Sequence, residues 1–306
     1  MSISVKKKQF IQVIKQLINN SNLISYKLRY EHLSNSVLSS FEPLVSDNAE
    51  SNGVVISLTT YSKRINTVHI TIESLGAQTR KADRIILWLD KDEFSDINLP
   101  AALIRQKERG LEIRYCENFR SYKKLIPTLS VIDNDIVDII TVDDDIIYPI
   151  DLVDRFVLES KVSPGVVLCN RGHQITFDEN SKVNPYCKWK QKISKYEPGF
   201  EIFPTGIGGV FYPKGSLNKL TCSVQEFTKL APKADDVWFK AMTTINHFKS
   251  KVVERNVNFN EEFFEIDGSQ DIGLFLSNVR NNENDVQITS VFKRFQLDYS
   301  VLQRDD

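Results

Sequence analysis

Residues 141–149, TVDDDIIYP, place three aspartates, Asp143, Asp144 and Asp145, between two apolar runs. Side-by-side carboxylates repel, and carboxylates at the end of a buried strand are costly unless a cation meets them. Hard divalent ions prefer carboxylate oxygens, and Mg2+ or Mn2+ typically binds through one or two carboxylates plus the phosphates of a substrate. In an extended Asp-x-Asp the outer side chains face the same side, which suits one ion and one ligand held together. Asp143 and Asp145 are then the metal-facing pair, with Asp144 turned away or bonded to nearby backbone. The bland alternative is a solvated acidic turn, since Asp-x-Asp occurs by chance in many proteins; the apolar flanks and the strand-end position favour the metal. A second acidic pair, Asp235–Asp236, lies near the start of the helical stretch ADDVWFKAMTTINHF. Capping that helix needs only one of the two, which leaves the other free to act as a base.

These groups need a frame that brings them together. From about residue 53 short β-branched runs alternate with helical stretches: VVISL (54–58), a helix carrying Val68, Ile72 and Leu75, RIILWL (84–89), a helix opening at Pro100 and closing at Gly110, LEIRYC (111–116), a helical SYKKLIPTLSVI, and IVDIITV (136–142). Such alternation predicts βαβ units and a mostly parallel sheet, in which ligands sit at the carboxyl ends of the strands. The triple aspartate falls at that end of the fourth strand. Beyond residue 150 the alternation weakens: GVVLCN, HQITF and GIGGVFYP read as further strands, and 268–298 carries two helical stretches separated by VRNNEND. The linker-like SDNAESNG predicts a boundary near residue 50.

The ordered stretches SLTTYSKRINTVHITIESLGAQT (57–79), DRIILWLDKDEF (83–94), SYKKLIPTL (121–129), TVDDDIIYP, PTGIGGVFYP (204–213) and ADDVWFKAM (234–242) resemble a nucleotide-sugar-dependent glycosyltransferase of the GT-A fold. More narrowly they resemble the bacterial enzymes of capsule, lipopolysaccharide O-antigen and other surface polysaccharides. The resemblance covers most of residues 54–250. It implies a Rossmann-like α/β domain over 51–306, with a donor half at about 51–150, an acceptor half at about 151–260 and C-terminal helices from about 261, preceded by a helical extension over 1–50.

The resemblance also implies roles. Thr59, Thr60, Tyr61 and Arg64 would form the nucleotide loop, Tyr61 covering the base and Arg64 pairing with the diphosphate. Asp90 would bind the nucleoside, with a plain strand-terminating turn as the equal alternative. One of Lys123 and Lys124 would hold the donor, with Lys123 taken for that role, and the other would face solvent. Asp143 and Asp144 would lie at the nucleotide, Asp143 near ribose and metal, and Asp145 would be the direct ligand of Mn2+ or Mg2+, with His247 as a third. Asp236 would be the base of an inverting transfer, its charge favoured by the helix dipole, and Asp235 would orient hydroxyls. Gly206, Gly208 and Gly209 would let backbone pass close to the acceptor sugar, and Trp238 or Trp189 would stack on it, although a helical Trp is more often core. The expected donor is a UDP-sugar and the expected acceptor a saccharide or lipid-linked saccharide.

Composition constrains the alternatives. A formal net charge of -1 argues against binding nucleic acid by bulk electrostatics. The four cysteines form no CxxC pair and the four histidines no HExxH cluster, so neither a zinc site nor a disulfide framework is expected, and a reduced, cytoplasmic setting is the natural reading. No GxxxxGK[ST] loop supports a phosphoryl or nucleotidyl transferase, intact Asp143, Asp145 and Asp236 count against a non-catalytic sugar-binding protein, and a retaining transferase would not need Asp236. No apolar run reaches membrane-spanning length. The first 20 residues read as a basic amphipathic helix, with Phe10, Val13, Ile14, Leu17 and Ile18 on one face, suited to peripheral contact with an anionic membrane, to a second copy of the chain, or to its own domain.

Overall fold

The computed structural model describes residues 3–47, 53–194, 196–268 and 283–303, with side chains of the first helix described from residue 20 onward and that of Glu283 outside the description. Its centre is a seven-stranded sheet. Strands β1 (Val54–Thr59), β2 (Arg84–Asp90), β3 (Leu111–Cys116) and β4 (Asp138–Thr141) are followed by the two-residue β5 (Ile146–Ile147). Then come β6 (Val167–Cys169), β7 (Gly172–Gln174), β8 (Ile202–Pro204), β9 (Val210–Tyr212), β10 (Ser250–Val252) and β11 (Phe264–Glu265). The main sheet runs β10-β6-β9-β4-β1-β2-β3. Every neighbouring pair is parallel except those made by β9, which is antiparallel to β4 and β6. The α/β class and the mostly parallel sheet are therefore as the alternation predicted.

Strict alternation along the central strands explains the nearly unbroken apolar runs, because both faces are buried. Val55, Ile86 and Trp88 face one layer, which holds helix α6 (Asp235–Ile245) through Trp238, Phe239 and Met242 and helix α8 (Glu283–Phe295) through Ile288, Val291 and Phe292. Val54, Ile56, Leu58, Ile85 and Leu87 face the other, against α2 (Val68–Gly76), α3 (Ala101–Glu108) and α4 (Leu152–Val162). The remaining helices are α1 (Ile3–Ser39), α5 (Val224–Leu230), α7 (Phe259–Glu262) and α9 (Tyr299–Leu302).

One local expectation changes. SYKKLIPTLSVI is not a helix but two 3-10 turns, Arg120–Lys124 and Thr128–Ser130; Pro127 lacks an N–H and disfavours the helical conformation of the residue before it. The N-terminal segment is helical as expected, and the second half of α1 packs on the α/β body. Leu33 packs with Ile70, Ile147, Phe264 and Ile266, and Val37 is buried. Beyond the helix Leu44 sits fully buried against Gly76, where any side chain would collide with it. The apolar face predicted for residues 10–18 and the first of the two tail helices lie outside the described side chains and residues. No described helix is long and apolar enough to cross a membrane.

Candidate active site

The register brings the chemistry to one edge. Because β1, β2, β4, β6 and β10 all run the same way, the segments after them share the carboxyl edge, and antiparallel β9 delivers its preceding loop, Thr205–Gly209, to the same place. The aspartates follow β4 there. Asp144 and Asp145 form a turn rather than continuing the strand, which corrects the extended Asp-x-Asp. Behind the turn, β11 pairs with β5, and the Ile266 N–H donates to the Asp145 carbonyl at 2.8 Å. The Asp143 N–H donates to the Tyr148 hydroxyl at 2.8 Å. Tyr148 and Glu262 in turn accept from Arg29 of α1 through their carbonyls, so the long helix buttresses the acidic turn.

Each aspartate meets a different partner. Asp144 is buried, accepts from Thr60 Oγ1 at 2.5 Å and pairs with Arg64 Nη1 at 2.7 Å. It binds side chains of the β1 loop, where backbone partners had been expected. Arg64 Nη2 reaches Asp145 Oδ2 at 3.0 Å, and the guanidinium lies 5.1 Å from the centre of the Tyr61 ring. Arg64 is thus committed to the aspartates where the sequence reading assigned it to a diphosphate. Burial, reinforced by the charges of Asp143 and Asp144, pushes the Asp145 pKa up to about 7 despite Arg64. Asp143 keeps the most exposed side chain of the three and pairs with Lys124 Nζ at 3.2 Å.

Lys124 links the two acidic pairs, since the same ammonium lies 3.0 Å from Asp235 Oδ2. Burial alone would depress its pKa, but Asp143, Asp235 and Asp236 outweigh that and hold it well above the ordinary value. Asp235 Oδ1 accepts from Ser121 Oγ at 2.8 Å, and Asp236 Oδ2 accepts from the Gly206 N–H at 3.1 Å. The helix N-cap is Ala234, with no side-chain cap bond, so both carboxylates reach across to other elements. The helix dipole does not keep Asp236 charged in the ordinary carboxylate range: burial first, then Asp235, raise its pKa to about 7, against the pull of Lys124. A half-buried carboxylate poised near neutrality and hydrogen-bonded at one oxygen can take a proton from a hydroxyl. Gly206 closes the junction. A Cβ there would lie 2.7 Å from Lys124 Nζ, 3.3 Å from Asp236 Oδ1 and 3.4 Å from Asp143 Oδ1.

Several predicted positions fall elsewhere. Trp238 is fully buried, its Nε1 donating to the Thr221 carbonyl at 3.0 Å, and Trp189 is buried with its Nε1 on the Asn184 carbonyl; neither has a face for a sugar. His247 is exposed and lies just beyond the far end of α6 from Asp236, past a helical run of roughly 13 Å at 1.5 Å per residue, which sets it apart from the acidic cluster. Gly208 and Gly209 adopt φ of +91° and +90°, and a Cβ on Gly208 would strike the Phe259 ring at 2.6 Å. Their lack of side chains is thus explained by backbone conformation and by packing on α7. Asp90 Oδ1 accepts from the Asp92 N–H at 2.9 Å, the strand-ending turn, and Thr59 Oγ1 donates to the Trp88 carbonyl. Both lysines are buried. Lys123 lies by Cys116 and Asp90, so it is Lys124 that joins the acidic cluster. Its neighbour Ser121 and the role of Gly206 were the parts least visible beforehand.

No protein-family model and no curated protein matches the chain. Solved structures with a similar course of the chain include the mannosyltransferase PcManGT from Pyrobaculum calidifontis in complex with GDP-Man and Mn2+, at 11% identity, covering 94% of this chain and 76% of that one, with a TM-score of 0.46. A 4-diphosphocytidyl-2C-methyl-D-erythritol synthase from Anaerococcus prevotii shares 15% identity over 76% of this chain and 99% of its own, with a TM-score of 0.44. An inositol-1-phosphate CTP transferase from T. maritima shares 12% identity over 79% and 96%, with a TM-score of 0.40. Likenesses this distant carry no argument about the chemistry, which rests on the residues.

Proposed function

We propose that the chain is a metal-assisted glycosyltransferase that moves a sugar from a nucleotide-diphosphate sugar, a UDP-sugar in the first instance, to a hydroxyl of a saccharide or lipid-linked saccharide. Surface-polysaccharide assembly (capsule or O-antigen) is the setting this reading favours. The observation that carries it is the meeting at Gly206 of two acidic pairs, one after β4 and one opening α6, through a shared buried lysine. A donor-side cluster and a carboxylate held near neutrality within a few ångströms of each other suit a displacement that needs an activated leaving group and a base.

The residues fit a divalent ion. Burial, and then the neighbouring Asp143 and Asp144, raise Asp145 towards neutrality, and hard oxygen donors suit Mn2+ or Mg2+. Among the described residues no three His, Cys, Asp or Glu side chains form a closed metal site, which suits an ion that completes its shell with diphosphate oxygens. Asp145 and Asp143 would hold it, and when bound it would neutralise charge developing on the leaving diphosphate. Lys124 keeps Asp143 and Asp235 from repelling each other, and the Gly206 N–H fixes the orientation of Asp236 so that its other oxygen faces the site. Asp236 takes the acceptor proton as the hydroxyl oxygen attacks the anomeric carbon, which inverts its configuration.

A thermal-shift screen of nucleotide-sugars with Mn2+, followed by assay of nucleotide release with saccharide acceptors, tests this reading. In the active pair, Asp236→Asn should lower turnover about 100- to 10,000-fold while donor affinity stays within about twofold. Retained turnover, or a product of unchanged anomeric configuration by NMR, would remove Asp236 from the role of base. Release of diphosphate with nucleotidyl transfer would replace the glycosyl reading altogether.

A further inference from the structure

We infer that the acceptor carries an anionic group, a carboxylate or phosphate, which the Arg171 guanidinium receives with Lys192 beside it. The inference rests on the reading of Asp236 as the acceptor-side base. Arg171 follows β6 at the carboxyl edge, and its carbonyl is held by Thr205, whose N–H and Oγ1 donate at 3.0 and 3.1 Å. Its backbone is therefore fixed beside the Gly206 loop. Its side chain is half-buried, yet Nε is buried without a hydrogen-bond partner. Other partly buried arginines find protein acceptors: Arg64, Arg109 and Arg155 the carboxylates of Asp144, Glu73 and Glu262, and Arg29 and Arg255 backbone carbonyls. A buried donor left unmade costs free energy unless a ligand satisfies it, and a planar fork suits carboxylate or phosphate.

The surroundings agree in sign. Residues 182–194 contain Lys182, Lys188, Lys190 and Lys192 and no acidic residue, all four lysines being exposed, in a chain whose net charge is -1. This segment is tied along β7 by the paired Gln174–Lys190 backbone bonds, and the Lys192 N–H donates to His173 Nδ1 at 3.0 Å. Burial, then the charges of Arg171 and Lys192, push the His173 pKa down to about 4, so the imidazole is a neutral acceptor in a positive field. Tyr186, its ring 5.6 Å from that of His173, feels both Arg171 and Asp236, and the Gly206 loop that Arg171 adjoins through Thr205 carries the N–H bonded to Asp236. Next to it Asn170 is fully buried, its Nδ2 donating to the Gly208 carbonyl at 2.9 Å while Oδ1 has no partner.

The test uses the full chain with three probes, glucuronic acid, glucose 6-phosphate and neutral methyl glucoside, each titrated by NMR with and without UDP and Mn2+. The two anionic probes should bind at least about tenfold tighter than the glucoside, as expected of a charged hydrogen-bond pair. Arg171→Ala should remove that preference, Arg171→Lys should restore part of it, and Lys182→Ala, on the same strip, should leave it intact. The UDP affinity of Arg171→Ala should stay unchanged. Equal binding of charged and neutral probes overturns the inference, as does a loss as large in Lys182→Ala as in Arg171→Ala. If Arg171→Ala weakens UDP and spares the sugars, the anion belongs to the donor and the inference fails. Failure of wild type to bind UDP or any nucleotide-sugar would sink the glycosyltransferase reading instead, whatever the sugars do.

Discussion

Replacing Lys124 by Met tests the centre of the site without touching a group proposed to react. The ammonium pairs with Asp143 at 3.2 Å and Asp235 at 3.0 Å, and its side chain is 8% exposed. Breaking one side of a buried ion pair costs about 3–5 kcal/mol, and the 30% exposure of the Asp143 side chain puts this case near the lower figure. For a chain of 306 residues about 3 kcal/mol corresponds to a fall in Tm of roughly 5 °C. The variant also changes a titration. Lys124 is the cation that lowers the Asp236 pKa against burial; removing a unit charge no more than about 6 Å away at an effective dielectric constant near 20 is worth about 3 kcal/mol, or about two pH units. The Asp236 midpoint should therefore rise from about 7 to about 8–9.

The sign follows from proton binding. A carboxylate whose folded pKa stands above its unfolded value holds a proton in the native state that the unfolded chain has lost, so stability falls as pH rises from about 4 through the folded pKa. In the wild type that fall should end just above pH 7; in Lys124→Met it should continue to about pH 9, and the Tm gap between the two should widen with pH. Thermal denaturation at pH 5, 7 and 9, with the Asp236 carboxyl carbon followed by NMR, gives both readouts without a substrate. A Tm change below about 1 °C, or an Asp236 midpoint that stays or falls, would refute the bridging role of Lys124.

Three further outcomes are expected. Asp145→Asn removes a carboxylate that the fold leaves short of positive charge, so Tm should hold or rise while the Mn2+-dependent part of UDP binding disappears; scanning fluorimetry with and without Mn2+ reads both, and a surviving Mn2+ effect ends the metal assignment. Gly206→Ala brings a methyl group to 2.7 Å from Lys124 Nζ and should cost about 1–3 kcal/mol and most of the turnover, whereas normal turnover would mean that the loop stands off from the cluster. Trp238→Ala empties a fully buried site and should cost about 3–5 kcal/mol in urea denaturation; a reduced acceptor affinity in the folded fraction would reinstate it at the sugar.

The sheet was legible because burial on both faces forces continuous apolar runs, and RIILWL matches β2 to within one residue. The carboxyl-edge position of the aspartates followed from strand order alone. What a linear pattern could not carry was direction within short irregular segments. Lys123 and Lys124 are adjacent and chemically identical, and only the 3-10 turn before Pro127 decides that Lys124 faces the aspartates. Asp144 and Asp145 turn because β5 must fold back to meet β11, more than 100 residues later. Leu44 reads as loop yet fills the space above Gly76. His247 is a different case: a helix running from Asp236 to Ile245 separates it from the acidic pair, and that much of the spacing was readable from the helical pattern.

Charge accounting ties these pieces together. Asp143, Asp144, Asp145, Asp235 and Asp236 converge on Arg64 and Lys124, five carboxylates against two cations. Burial, reinforced by the neighbouring carboxylates, raises two of the five, Asp145 and Asp236, to about 7. A nucleotide diphosphate arriving alone would add negative charge to a site that already has too much, so binding requires a cation brought with it or freed for it. A divalent ion at Asp145 supplies the first, and it would compete with Arg64 Nη2 for the same carboxylate, releasing the guanidinium towards the phosphates. Neutralising Asp145 should then leave less charge for Lys124 to offset near Asp236, which couples ion binding on the donor side to the readiness of the base. The excess negative charge is thus a reason for ordered binding, ion and donor first, with the acceptor meeting a base already primed.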